Sequence, residues 1–292
     1  MSAPPVDPGS LSLDLEPLPL EARLRRVGAI AGRKVFTTSL GIEDQVVTAA
    51  IARSGAGIDV VTLDTERLFA ETRALIEETE ARYGLAIRRY RPDGDDVAAY
   101  VGRYGRDGFY DSVEARHACC DIRKLRPLAR ALEGAAVWIT GVRRGQSQAR
   151  QETPLAEFDA QRGLLKINPL ADLTFAEISA YAAAHDVPLN PLHARGYPSI
   201  GCEPCTRAIK PGEPERAGRW WWEQDQTREC GLHVKSASVI PSSPSSVPSS
   251  PPSTPTAAAP PTGPSATPLD SALFPCSPGF WVGSAHFTAS SP

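Results

Sequence analysis

The chain predicts an α/β fold, a mostly parallel sheet with helices on both faces. Three observations carry this. Short apolar, β-branched runs recur at residues 35–38, 58–63, 85–90 and 136–140. Charged amphipathic stretches alternate with them at 43–53, 66–83, 112–132 and 174–185. The runs end in Ser, Thr, Gly or Asp, residues suited to tight strand-to-helix turns.

Val35-Phe36-Thr37-Thr38 forms the first strand and stops at Ser39-Leu40-Gly41. A helix over 43–53 follows. Ile58 to Leu63 is the second strand. The helix over 66–83 sets Leu68, Leu75 and Ile76 on one face. Leu85 to Tyr90 is the third strand. The stretch 112–132 reads as helical, but Pro127 has no N–H to donate and should bend or restart it. Ala136 to Thr140 is the fourth strand, ending at Gly141. Thr174 and Glu177 have the spacing of a capping box for the helix over 174–185. In parallel sheets ligands bind beyond the carboxyl ends of the strands. Those ends carry Ser39-Leu40-Gly41, Asp64-Thr65 and Gly141-Val142-Arg143-Arg144.

Composition divides the 292 residues into zones. Residues 1–17, rich in Pro and Ser, are expected to be a flexible arm. Residues 18–212 carry the strand and helix signals, and a segment over 213–235 follows. Residues 236–292 hold 13 Pro and 15 Ser with no Lys, Arg or Glu, too little apolar surface to offset the entropy of ordering. That tail, with Cys276, is expected to be disordered. Net charge is −3, so no basic field argues for nucleic acid. No apolar run reaches the roughly 18 residues of a membrane span. Neither does Met1 to Ser10 read as a signal peptide. Six cysteines without a secretory signal point to the cytoplasm, where clustered thiols bind metal or react.

Ser39 and Gly41 open a helix at a strand end, where backbone N–H groups and the helix N-terminus can meet an anion. Arg143, Arg144 and Arg150 cluster after the fourth strand, and guanidinium forks suit phosphate and sulfate oxygens. The bland alternative for them is a solvated face partly paired with Glu152. Cys119 and Cys120 are adjacent, and Cys202 and Cys205 form a C-x-x-C. Adjacent ligands strain the small tetrahedron of a zinc site, whereas a cubane cluster offers each thiolate its own iron. The spacing leans to [4Fe–4S], with zinc and a redox pair still open. Lys124, four residues after Cys120, would set a positive charge beside these thiols. Cys230 stands apart between Glu229 and His233. Its surroundings leave open whether it reacts.

In order along the chain, the residues also spell a family. The pieces are Thr38-Ser39-Leu40-Gly41-Ile42-Glu43-Asp44-Gln45, Leu63-Asp64-Thr65, Cys119-Cys120-Asp121-Ile122-Arg123-Lys124 and Thr140-Gly141-Val142-Arg143-Arg144. Then come Gly201-Cys202-Glu203-Pro204-Cys205, Arg216-Ala217-Gly218-Arg219-Trp220-Trp221-Trp222-Glu223 and Glu229-Cys230-Gly231-Leu232-His233. This chain resembles the thioredoxin-dependent adenylyl-sulfate (APS) reductases of assimilatory sulfate reduction, relatives of the phosphoadenylyl-sulfate (PAPS) reductases.

The resemblance implies an adenine-nucleotide α-hydrolase-like fold in which residues 39–44 are a modified pyrophosphatase loop. It implies one [4Fe–4S] cluster held by Cys119, Cys120, Cys202 and Cys205. Cys230 becomes the nucleophile, on a mobile catalytic segment over 213–235. Ser39, Gly41, Leu63, Lys124, Arg143, Arg144, Arg216, Arg219 and His233 become substrate residues, with Leu63 near the adenine. Thioredoxin becomes the electron donor and APS the substrate, with no nucleic-acid or membrane partner. The rivals are a PAPS or dual-specificity reductase, a non-redox metal-stabilised nucleotide-binding module, and a tRNA-thiolating pyrophosphatase. The last generally needs a more intact Gly/Ser-rich loop. The Pro/Ser-rich extension after the Cys230 motif departs from the family pattern.

Overall fold

Fourteen regular elements follow one another in the computed structural model, which describes residues 6–223. They are α1 (Pro8–Leu15), α2 (Leu20–Gly28), β1 (Arg33–Thr38), α3 (Ile42–Ser54), β2 (Asp59–Leu63), α4 (Ala70–Tyr83) and β3 (Ile87–Tyr90). Then come α5 (Gly94–Tyr104), α6 (Val113–Cys120), α7 (Arg126–Leu132), β4 (Ala135–Ile139), β5 (Ala156–Asp159), β6 (Leu164–Ile167) and α8 (Phe175–Ala184). Cys230, His233, Cys276 and the tail over 236–292 lie outside the described residues.

The strands form one sheet in the order β3-β2-β1-β4-β6-β5. Every neighbouring pair is parallel except β5 with β6. Chain order reverses between β1 and β4, and the crevice beyond their carboxyl ends is where such a sheet receives ligands. Successive strand residues go to opposite faces. Phe36, Val60, Ile87, Val137 and Leu165 join the core beneath α1, α2, α3, α4 and α8. Their neighbours Val35, Val61, Trp138 and Leu164 pack instead against Leu128, Ala131 and Leu132 of α7. Helices therefore cover both faces.

Four features depart from the sequence expectation. Residues 8–15 are not a frayed arm but a helix. Asp7 caps it by accepting from the Ser10 N–H at 2.7 Å, Pro8 opens it, and Leu11 and Leu15 are buried in the core. The Ser12 hydroxyl ties it to the sheet edge, accepting the Ala156 N–H at 3.0 Å. Strands β5 and β6 escape a pattern reading because Lys166 and Glu157 interrupt the apolar run; in the fold they pair across the ladder at 2.9 Å. Helix α5, opened by Asp93, is also not apparent in the sequence. Helix α4 begins at Ala70 rather than near residue 66, because residues 65–68 are held by the Cys202 loop. The Glu203 N–H donates to the Arg67 carbonyl at 2.8 Å, and Leu68 bridges Cys202.

The stretch 112–132 shows how proline restarts a helix. Helix α6 ends at Cys120, Asp121 to Leu125 form a wider π-helical turn, and α7 begins with Pro127 in its first turn. A proline ring clashes with the carbonyl four residues back, here that of Arg123, and the wider turn relieves the clash. The capping box on α8 is formed as expected. The Glu177 N–H donates to Thr174 Oγ1 at 3.2 Å, and the Thr174 N–H donates to Glu177 Oε2 at 2.7 Å.

Candidate functional site

The turn after β1 sets the upper cavity. Leu40 takes φ 60°, a left-handed conformation costly for a branched side chain, and is almost fully buried. Its N–H donates to Thr38 Oγ1 at 3.1 Å. The turn swings Ser39 back over the start of α3. There the Asp44 carboxylate accepts both the Ser39 N–H and the Ser39 hydroxyl, each at 2.6 Å. Gly141, arriving from β4, closes this arrangement. A Cβ there would lie 2.0 Å from Asp44 Oδ1. The Ser39 donors expected to face an anion are thus engaged by an internal acid. Burial pushes Asp44 up to about 6, against the pull of the two Ser39 hydrogen bonds.

Around this turn the strand ends line one cavity. Ser39, Gly41, Leu63, Lys124, Arg216 and Arg219 all face it, together with Thr38, Thr140, Gly141 and Arg150. Arg219 lies flat across Gly201, where a Cβ would be 2.2 Å from its Nη2, and stacks on Trp220 at 4.8 Å. Its Nη1 donates to the Ile200 carbonyl at 3.2 Å, while its buried Nε has no hydrogen-bond partner among the described residues.

Arg143 and Arg144 do not line the cavity. Arg143 is buried in an ion-pair cluster, with Nε on Glu43 at 3.0 Å and Nη2 on Glu215 at 3.1 Å. Arg144 turns away, donating to the Thr153 carbonyl at 2.9 Å. The solvated face paired with Glu152 is not what forms for Arg143. Arg150 is the member of that cluster which reaches the cavity. Its Nη1 donates to Gln146 at 2.6 Å. Glu43, Asp44 and Glu215 are the site residues that sequence reasoning passed over. Acids beside an expected anion site carry no obvious signal; only the Arg143 pairing explains two of them. Cys230 and His233 lie outside the described residues.

A second, smaller cavity gathers the thiols. Cys119, Cys120, Cys202 and Cys205 all line it, with Arg67, Phe109, Arg116, Arg123, Lys124 and Pro204. Cys119 and Cys120 come from the end of α6. The other pair comes from a tight turn in which the Cys205 N–H donates to the Cys202 carbonyl at 3.0 Å. Thr65 and Cys202 share a hydrogen bond at 3.3 Å. Their environments differ. Burial and then Cys202 push the Cys205 thiol up to about 12. Burial likewise raises Cys119. For Cys202 burial is outweighed by Lys124, the Thr65 hydrogen bond, Arg219 and Arg123, and the thiol is held below its ordinary value.

This donor set fits a thiolate-ligated cluster. Among the described residues the lining holds four thiols, three arginines and a lysine, and no carboxylate. Such a cationic wall would offset the negative charge of four thiolates. Among the described residues no group of three or more His, Cys, Asp or Glu is placed for a single metal ion. Two buried donors nearby, Arg123 Nε and Trp220 Nε1, have no hydrogen-bond partner among the described residues. Cluster sulfurs are acceptors such donors can use. Lys124 and Cys202 line both cavities and so form their common wall.

Comparison with known proteins agrees with this geometry. Residues 33–208 match the phosphoadenosine phosphosulfate reductase domain family. The chain is 65% identical over 235 residues to the adenosine 5'-phosphosulfate reductase of Agrobacterium fabrum, covering 80% of this chain and 90% of that protein. It is 57% identical over 211 residues to the protein of the same name from Allochromatium vinosum, covering 72% and 82% respectively. Among solved structures it is similar to phosphoadenylyl-sulfate reductase from Candida auris in a phosphate complex. That match has a TM-score of 0.58 and 26% identity, and covers 70% of this chain and 97% of that one. The α/β architecture expected from the sequence is thereby borne out.

Proposed function

Because this chain belongs to the phosphoadenosine phosphosulfate reductase domain family, we propose that it reduces adenosine 5'-phosphosulfate to sulfite and AMP in assimilatory sulfate reduction. The observation that carries the reading is the common wall. Lys124 and Cys202 belong at once to a strand-end cavity, lined by four cations and three carboxylates, and to a cavity of four thiols. Residues 18–212 are the nucleotide-binding body, and 213–235 the catalytic segment.

A phosphosulfate is a polyanion, and a thiolate attacking it is opposed by charge. Cations must therefore surround the reacting sulfur. Lys124, Arg150, Arg216 and Arg219 supply them. Arg143 acts from behind, holding Glu215 beside Arg216. Cys230 is the nucleophile. Its sulfur bonds to the sulfate sulfur, the bond from that sulfur to the phosphate oxygen breaks, and AMP leaves. An S-sulfocysteine remains. A thioredoxin thiolate then attacks the Cys230 sulfur, sulfite departs, and the second thioredoxin thiol resolves the mixed disulfide. The two electrons come from the dithiol.

Cys119, Cys120, Cys202 and Cys205 would hold one [4Fe–4S] cluster, which would supply fixed charge and rigidity beside Lys124 rather than electrons. Thioredoxin chemistry and reduced thiols favour a cytoplasmic setting. No helix among the described residues is long and apolar enough to cross a membrane.

The test is anaerobic purification followed by turnover on APS and on PAPS with thioredoxin. The expected protein is brown, with a broad absorption near roughly 400 nm, and prefers APS. Cys230→Ser is expected to keep the colour and release no sulfite. A colourless zinc protein, or sulfite release by the Ser variant, would defeat the reading. Faster turnover on PAPS would favour instead the substrate for which the Candida auris reductase is named.

A further inference from the structure

The run from Arg216 to Glu223 is a partition that faces the strand-end cavity on one side and packs against three of the thiols on the other. Arg216, Arg219 and Trp220 face the strand-end cavity. Trp220 and Trp222 also pack with Phe109, Cys119, Cys202 and Cys205. Backbone bonds fix the run to the C-x-x-C turn. The Arg207 N–H donates to the Gly218 carbonyl at 3.0 Å, and the Trp220 N–H to the Cys205 carbonyl at 3.2 Å. Trp220 takes φ 45° to make this turn and is fully buried.

At the end of the run stands a buried ion pair. Arg116 of α6 grips Glu223 in a two-pronged arrangement, Nε to Oε1 at 2.7 Å and Nη2 to Oε2 at 2.9 Å. Both side chains are about 4% exposed. The same guanidinium lies 4.9 Å from the centre of the Trp220 ring, and it interacts with the Cys120 thiol. One arginine therefore touches a cluster-ligand candidate, the partition and its last acid. In the sequence Cys230 follows Glu223 by seven residues.

Burying two charges costs about as much as their attraction returns, and well-packed apolar residues in their place are often no less stable. What such a pair provides over apolar packing is a defined position. We propose that Arg116 and Glu223 are positioning residues for the reaction: Arg116 carries the geometry of the thiol site to Glu223, and Glu223 fixes where the segment leading to Cys230 departs. Neither touches substrate. This inference rests on Cys230 as nucleophile and on the four cysteines as cluster ligands.

Three proteins test it as full-length chains: parent, Glu223→Gln, and the double variant Arg116→Met with Glu223→Met. Iron content, AMP affinity and the single-turnover rate of S-sulfocysteine formation, read by mass spectrometry, are measured for each. Glu223→Gln is expected to keep parent iron and AMP affinity while sulfocysteine formation slows on the order of 10²-fold, the scale of a misplaced reacting group. The double variant covers the case in which an unpaired buried arginine unfolds the single variant. It is expected to fold and to be similarly slow. Parent-like single turnover in either folded variant overturns the proposal. So does a rate that falls only in proportion to lost iron, because the pair would then merely maintain the cluster. A parent that forms no sulfocysteine would instead defeat the function proposed above, a distinguishable failure.

Discussion

Asp44 sits where an anion would be welcome. It takes both donors of Ser39 and lies against Gly141, in a place too tight for any other residue on the β4 turn. Burial raises it from 3.8 to about 6. Below about pH 4 the acid is protonated whether the chain is folded or not. Between there and about 6 the unfolded chain has lost the proton while the folded one keeps it, so stability falls as pH rises. Above that window the cost is constant, on the order of 3 kcal/mol. Asp44→Asn is expected to melt higher than the parent at neutral pH, with the gap closing as pH falls toward about 4. Thermal melts across this range check it; a gap independent of pH would show that ionisation is not the cause.

At the scale of elements, α1 is the clearest case of structure hidden by composition. Its Pro and Ser suggest a loose arm, yet Pro8 and Asp7 are start signals and Leu11 and Leu15 share one face at helical spacing. Leu15 is 0% exposed, whereas Leu13 is 71% exposed. Leu15→Ala is expected to cost about 2–5 kcal/mol, and Leu13→Ala less than about 0.5 kcal/mol. Urea denaturation of both variants separates them. Equal, small effects would mean that α1 is not part of the cooperative core. The turn between α6 and α7 teaches the converse. Pro127 announces a break, and the break falls between the cysteine pair and Pro127, in the turn that carries Arg123 and Lys124. A proline placed to relieve its own clash also shapes the wall between two cavities.

For the whole molecule, residues 6–223 contain the sheet and both cavities, with Lys124 and Cys202 as their common wall. Matches to the two bacterial relatives described above extend over 235 and 211 residues of the 292. Removing residues 236–292 is therefore expected to leave melting temperature, iron content and turnover unchanged. Kinetics of a chain ending at Lys235 check this, and a rise in turnover would show that the extension impedes the catalytic segment. Residues 216–223 are bolted to the C-x-x-C turn and to Arg116.

The four thiols, the strand-end turns and the alternation of β1 to β4 with the helices α3, α4 and α6–α7 are legible in the sequence because each depends on local spacing. Two cysteines side by side, a C-x-x-C, a β-branched run ending in Ser-Leu-Gly and a capping box are short-range patterns, and short-range sterics fix what they can do. The sequence likewise determined the family. The roles of the charges were not legible. Arg143 and Arg144 read like Arg150, yet one is locked between Glu43 and Glu215, one turns to a carbonyl, and only the third reaches the cavity. The partners lie up to 100 residues away in the chain, as Arg143 and Glu43 do. Which charge meets a ligand and which meets another charge is decided by burial and by long-range pairing. Only the closed tertiary structure sets those, because only there do the loops from β1, β2 and β4 and the C-x-x-C turn share one space.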